Sequence, residues 1–168
     1  LLTTIKDEQE IRNPIAILDL AAYYRMQGHT VDCYYLHQLE AGAAAGRQYD
    51  WVGLSVLYAR SQGAILAAAA YLKKTFQAKI VIGGKHMETL TPAQIEEFRA
   101  LEVEAYPGKG ELYFSQGAID YQNYPSWSRE DFKTLEDVRI DVMSSSGCPH
   151  HCYFCHNIFR GIFGTGFT

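Results

Sequence analysis

No apolar run in this chain approaches the ~20 residues that a membrane span needs. The longest candidate, residues 65–71, is closed by Lys73 and Lys74. Basic charge is not in excess. Lys and Arg number 15 against 19 Asp and Glu, a formal net charge of −4, which argues against a nucleic-acid backbone as the main partner. The first residues are acidic where a secretory signal would be basic, so the expected compartment is the cytoplasm. Cysteine is scarce and uneven: of 4 in 168 residues, Cys148, Cys152 and Cys155 cluster and Cys33 stands alone. A secreted disulfide framework would spread its cysteines along the chain; clustering points to a metal site. No internal repeat or low-complexity tract is present. What remains is an ordinary globular composition, 48% apolar and 20% charged, enough for one domain with a core and part of another.

The pattern along the chain alternates strand and helix. Residues 1–5 read as a short first strand. Pro14 suits the first turn of a helix over 14–27, with Ile15, Leu18, Ala22 and Met26 at helical spacing and Gly28 as its C-cap. Residues 30–36 are β-branched and aromatic and predict a strand; the small, Gly-rich stretch 41–47 predicts a short helix. Residues 50–58 are nearly all apolar, the mark of a strand buried on both faces. An Ala-rich helix follows over 62–76, then a buried strand over 79–82 stopped by Gly83-Gly84. Thr91, Pro92 and Gln94 form the start signal of a helix to about Arg99. Residues 101–106 predict a strand and 111–117 one more short helix. Such alternation implies a parallel sheet with helices on both faces, whose ligands sit at the carboxyl ends of the strands. Those ends are residues 55–58, 83–86 and 106–110, all rich in Gly or small polar residues.

Residues 119–137 are Tyr-rich and polar without a clear period, and read as a linker. A new strand is expected over 138–143. It leads into Ser144-Ser145-Ser146-Gly147-Cys148, and the key string is Cys148-Pro149-His150-His151-Cys152-Tyr153-Phe154-Cys155. Thiolates spaced C-x3-C-x2-C can converge on one iron–sulfur cluster. Three of them serve three irons of a four-iron cube and leave the fourth open to a substrate. Zinc is the rival: the same cysteines with His150, His151 or His156 make a Cys3His set. Three unligated cysteines are the plainest alternative.

The Gly-Cys-Pro lead-in, the spacing, the aromatic Phe154 and the preceding strand resemble the signature of the radical S-adenosylmethionine superfamily, which carries this motif after the first strand of its barrel. The resemblance implies a 4Fe-4S cluster on Cys148, Cys152 and Cys155. Its open iron would bind the amino and carboxylate groups of S-adenosylmethionine, and the backbone near Phe154 would lie by the adenine. Electron transfer from the cluster would give a 5′-deoxyadenosyl radical.

The upstream α/β region resembles the cobalamin-binding domain of a large class within that superfamily. Four strings carry the likeness in order: Gly28-His29-Thr30-Val31, residues 50–55 (DWVGLS), residues 80–86 (IVIGGKH) and Gly108-Lys109-Gly110-Glu111. By this resemblance the cobalamin contacts would come from Ser55, Val56 and Leu57, from Gly83, Gly84 and His86, and from Gly108, Gly110 and Glu111. One departure stands out. Cobalamin mutases carry Asp-x-His-x-x-Gly, whose His ligates cobalt, and no Asp-x-His occurs here. Many radical enzymes of the class also lack it. Each string also has a plain reading: Gly83-Gly84 as a strand-ending turn, His86 as a turn residue, His29 and His37 as surface residues, Cys33 as a buried small hydrophobe. Gly108-Lys109-Gly110 is not a phosphate loop, because Val103 occupies the position of the first glycine, and Gly164-Thr165-Gly166 lacks a dinucleotide context.

The expected architecture is α/β: a flavodoxin-like, Rossmann-like parallel-sheet cobalamin-binding domain over 1–118, a linker over 119–137, and the start of a radical S-adenosylmethionine partial barrel over 138–168. The expected activity is radical generation coupled to cobalamin, most commonly methyl transfer to an unactivated carbon or phosphorus, with ring rearrangement or cyclisation as the alternative within the class. The substrate would be a small molecule or a peptide, and an electron donor would reduce the cluster. Only one strand and the cluster loop fit after residue 137, whereas βαβ units take ~30 residues each. The complete enzyme is therefore expected to continue for roughly 200 residues by the same measure. A zinc-binding structural module and a cofactor-carrying fragment without catalysis stay open on the sequence.

Overall fold

The computed structural model describes residues 1–5, 15–56, 61–108, 110–114, 128 and 131. The cysteine string, the strand expected at 138–143 and all of the linker except Ser128 and Asp131 lie outside the described residues. The strands are β1 (Leu2–Thr4), β2 (Cys33–Tyr35), β3 (Trp51–Ser55), β4 (Lys79–Gly83) and β5 (Glu104–Ala105). All pair in parallel, in the order β2-β1-β3-β4-β5. That order is one of the two common doubly wound arrangements, and its direction reverses between β1 and β3. The helices are α1 (Ile15–Met26), α2 (Leu36–Glu40), α3 (Gln62–Thr75) and α4 (Pro92–Ala100), with 3-10 helices at Lys85–Thr89 and Gly110–Leu112.

Parallel strands need crossovers, and the crossovers cover both faces of the sheet with apolar helix surface. Successive side chains point to opposite faces, and the two cores follow that alternation. Leu1, Val52, Leu54, Ile80 and Ile82 belong to one core with Ile65 and Leu72 of α3 and Phe98 of α4. Cys33 and Tyr35 belong to the other, with Ile17, Leu18 and Ala21 of α1, and Leu2 packs against it. Ile65, Leu72, Ile82 and Phe98 are wholly buried, each contributing roughly 1.5–3 kcal/mol relative to exposure.

The helix signals read from the sequence are present as hydrogen bonds. Thr91 Oγ1 accepts from Gln94 N at 3.4 Å and Gln94 Oε1 accepts from Thr91 N at 2.9 Å, the two halves of a capping box. Gly28 lies at φ +90° just past α1, a conformation that suits glycine. Four elements differ from expectation. β2 stops at Tyr35 because Gln38 Oε1 takes the Tyr35 N–H at 2.8 Å, so α2 begins at Leu36. The helix expected over 41–47 is a run of turns, with Gly42 at φ +89° and Gly46 at φ +76°. β5 is two residues long, although Tyr106 N still donates to Ile82 O at 2.8 Å before Pro107, which has no N–H, ends the ladder. The helix expected over 111–117 is the three-residue turn Gly110–Leu112, and residues 115–117 lie outside the described ones.

Candidate functional site

The reversal of strand order between β1 and β3 opens the carboxyl rim at that point, where doubly wound sheets take ligands. The register places Thr4 beside Ser55, and Ser55 beside Gly83. Three central strands therefore end in a row of small residues. Thr4 Oγ1 donates to Ser55 O at 2.9 Å, which satisfies one carbonyl of the rim from within. Val56 N donates to Gly83 O at 2.9 Å and His86 N donates to Val56 O at 3.3 Å. These bonds stitch the end of β3 to the turn and 3-10 helix that follow β4.

The two glycines of this turn have different reasons to be glycine. Gly84 sits at φ +100°, and a Cβ there would fall 2.5 Å from Val56 O; the packing of the turn itself demands glycine. A Cβ on Gly83 would meet only Tyr106 O, at an ordinary 3.8 Å. Among the described residues that contact leaves room for a side chain beside Gly83, unlike Gly84.

Several buried polar atoms toward this rim have no hydrogen-bond partner among the described residues: Thr3 Oγ1 in β1, Gln62 Oε1 at the start of α3, and His86 Nε2 and Glu88 Oε2 in the 3-10 helix after β4. Each such atom costs about 1–3 kcal/mol when left unmet, and unmet buried groups call for an explanation. Gln62 and Glu88 were not singled out from the sequence. The available signal was that they belong to the elements that follow β3 and β4.

The amino rim is built differently. Arg25, in the last turn of α1, grips both carboxylate oxygens of Asp131, with Nη2 at 2.8 Å from Oδ1, and also donates to Val31 O. Asp131 is almost fully buried, and its hydrogen bond raises the Arg25 pKa further. Asp32 accepts from Arg47 Nη1 at 2.6 Å and from the Tyr49 hydroxyl at 2.8 Å. Burial works against that carboxylate, but the Tyr49 and Arg47 hydrogen bonds win and hold it below its usual range. Trp51, the first residue of β3, meets Phe114 edge-on at 4.8 Å, and Lys79 Nζ lies 4.8 Å from its ring centre. A cleft of about 270 Å³ between the 39–47 region and the end of α3 also belongs to this rim; none of the predicted site residues lines it.

The structure brings Ser55, Val56, Gly83, Gly84 and His86 together. Gly108 lies two residues beyond Tyr106, whose ring a Cβ on it would strike. Gly110 is held by α1: the Tyr24 hydroxyl donates to its carbonyl, and a Cβ would fall 2.7 Å from Leu20 Cδ2. Glu111 is half-buried beside it and, after burial, is the next cause of the raised Tyr24 pKa. Leu57, Phe154, Cys148, Cys152 and Cys155 lie outside the described residues. Cys33 is buried in the α1 core, and burial pushes its thiol pKa well up, in keeping with a packing role.

Comparison with family models, curated proteins and solved structures gave no match.

Among the described residues no helix is long and apolar enough to cross a membrane, and no group of three His, Cys, Asp or Glu side chains is placed to hold a metal ion.

Proposed function

We propose that the chain is the front part of a cobalamin-dependent radical S-adenosylmethionine enzyme. The sheet domain would carry the corrinoid and the cysteine string the cluster. The observation that carries this reading is the Gly-Cys-Pro-x-x-Cys-x-Phe-Cys string downstream of a parallel sheet of order 2-1-3-4-5. A rim with room beside Gly83 and, among the described residues, unmet polar atoms at Gln62, His86 and Glu88 supports the corrinoid half. A flat macrocycle edged with amides needs both features: close backbone approach and hydrogen-bond partners.

The donor set at Cys148, Cys152 and Cys155 suits a 4Fe-4S cluster with one open iron. Bound there, the cluster would supply the electron that cleaves S-adenosylmethionine reductively. The chain's own part is positioning. The stitched ends of β3 and β4 present Ser55, Val56 and Gly83 as a rigid floor, and Gly84 keeps the turn close against it. Leu57 and Gly108 would complete the edge, and Phe154 would flank the adenine; Gly110 and Glu111, expected from the sequence to join them, pack instead against α1 beside Trp51 and the start of β5. With no Asp-x-His in the sequence, cobalamin would bind without that lower protein ligand. The reaction is methyl transfer to an unactivated centre of a small molecule or peptide in the cytoplasm, or ring rearrangement within the same class.

The test is anaerobic reconstitution of the chain. It should hold about four irons and four sulfides, as a 4Fe-4S cluster requires, and lose them when Cys148, Cys152 or Cys155 is changed to Ala. Stoichiometric zinc without iron would make it a zinc module instead.

A further inference from the structure

We propose that Gln62 and Glu88 are ligand contacts that take the amide N–H groups of a corrinoid ring edge, and that they, with His86, set its orientation on the carboxyl rim. The inference rests on the corrinoid reading above and adds residues that no motif marks.

The geometry defines what the site can accept. Gln62 Nε2 donates to Glu97 Oε2 at 2.9 Å. A carboxylate only accepts, so the amide orientation is fixed and the buried, unmet atom is the carbonyl Oε1. Glu88 Oε2 is likewise an acceptor, buried and unmet. Both therefore require donors from outside the described protein. His86 Nε2 adds a third buried position, donor or acceptor according to its tautomer.

The topology puts the three on one stretch of rim. Gln62 opens α3, the next element after β3, and His86 and Glu88 lie in the 3-10 helix that follows β4, the neighbour of β3 in the sheet. Their backbone is held before any ligand arrives. Met87 between them is buried, Met87 N donates to Gly84 O at 3.0 Å, and the Thr89 hydroxyl donates to His86 O at 2.8 Å. Acceptors held rigidly at the mouth of a doubly wound sheet are what preorganised binding needs. A ring bordered by primary amides presents donors at several points of its edge. The ammonium group of S-adenosylmethionine is the other donor source in this reading, and the experiment must separate the two.

The experiment compares the full chain with Gln62→Met and Glu88→Met, which keep side-chain length and remove the acceptor. Binding of cobinamide, which keeps the ring amides and lacks the nucleotide tail, is measured by absorbance titration, and binding of S-adenosylmethionine by calorimetry on the reconstituted protein. Ligand-free melting is recorded alongside. Each variant should bind cobinamide roughly 5- to 10-fold more weakly, the worth of one hydrogen bond; Glu88→Met should melt at or above the parent temperature because an unmet buried acceptor has gone, and Gln62→Met near it, because the exposed bond to Glu97 goes with the acceptor. S-adenosylmethionine binding should not change. If the parent chain binds no cobinamide, the corrinoid reading fails and this inference falls with it. If the parent binds and both variants bind equally well, the inference alone is overturned. Weakened S-adenosylmethionine binding with unchanged cobinamide binding also overturns it, as does a lower melting temperature in both variants.

Discussion

The two rims of the one sheet differ in how they treat polar groups. At the amino rim Arg25 holds Asp131 and the Val31 carbonyl, Asp32 is met by Arg47 and Tyr49, and Lys79 lies over Trp51. At the carboxyl rim Gln62, His86 and Glu88 keep buried atoms without partners among the described residues, and a Cβ on Gly83 would meet only Tyr106 O. Natural proteins break local rules of satisfaction mainly where function needs it. On the proposed reading the amino rim serves stability and the carboxyl rim would serve ligand binding.

The sharpest way to break that contrast is at the two adjacent glycines. Gly84→Ala should cost about 3 kcal/mol, from left-handed backbone strain and a clash with Val56 O. Gly83→Ala should cost under about 1 kcal/mol, because its Cβ meets only ordinary contact, while impairing ligand binding. Urea unfolding of both variants checks this. Equal stability losses would erase the distinction between a packed and an open position.

A second test strikes the amino rim. Asp131→Asn should destabilise by roughly 2–3 kcal/mol, the lower side of what breaking a buried pair costs, because the Arg25 side chain is 29% exposed. Double-mutant unfolding with Arg25→Met should show coupling between the two sites. Independent effects would mean that the residue expected in the linker is not tied to the domain by this pair.

Thiol chemistry gives a smaller contrast. In a chain whose Cys148, Cys152 and Cys155 are changed to Ala, Cys33 is the only thiol left, and it is buried with a raised pKa. Maleimide should label it only as the protein unfolds, at the same denaturant concentration as loss of helix signal. Rapid labelling of the native protein would contradict its place in the α1 core.

The smallest effect concerns pH. Because Asp32 is held below its usual range in the folded chain, its contribution is present above the unfolded carboxylate pKa and is lost as pH falls through the folded value. Arg47 is exposed and the pair is screened by water, so Asp32→Asn should be only slightly less stable at neutral pH. The difference should shrink as pH falls below the unfolded carboxylate range and vanish once the folded Asp32 is protonated. A gap that persists in acid would place the stabilisation elsewhere.

Much of the fold was legible because its signals are local. Thr91-Pro92 with Gln94 marks a capping box, Gly28 marks a left-handed helix end, and the apolar runs at 50–58 and 79–82 mark strands covered on both faces. The α2 position was missed because one Gln38–Tyr35 hydrogen bond decided where β2 stops, and side-chain capping of that kind leaves little trace in composition. At the site, Gly83 and Gly84 look alike in sequence, and only three-dimensional packing separates the glycine that the turn demands from the one that leaves space. Gln62 reads as an ordinary first residue of a helix and Glu88 falls between elements, until the one buried, unpartnered oxygen of each is seen among the described residues. Gly110 reads as part of a cofactor turn, whereas contact with Leu20 and Tyr24 gives it a packing reason.

The central claim is that a corrinoid rests on the carboxyl rim, and amide hydrogen exchange of the full chain with and without hydroxocobalamin tests it most directly. The account predicts slowed exchange at residues 54–56 and 83–88 on adding the ligand, with no change at 25–32 and 47–51. Protection confined to the amino rim, or no protection at either rim, would contradict it.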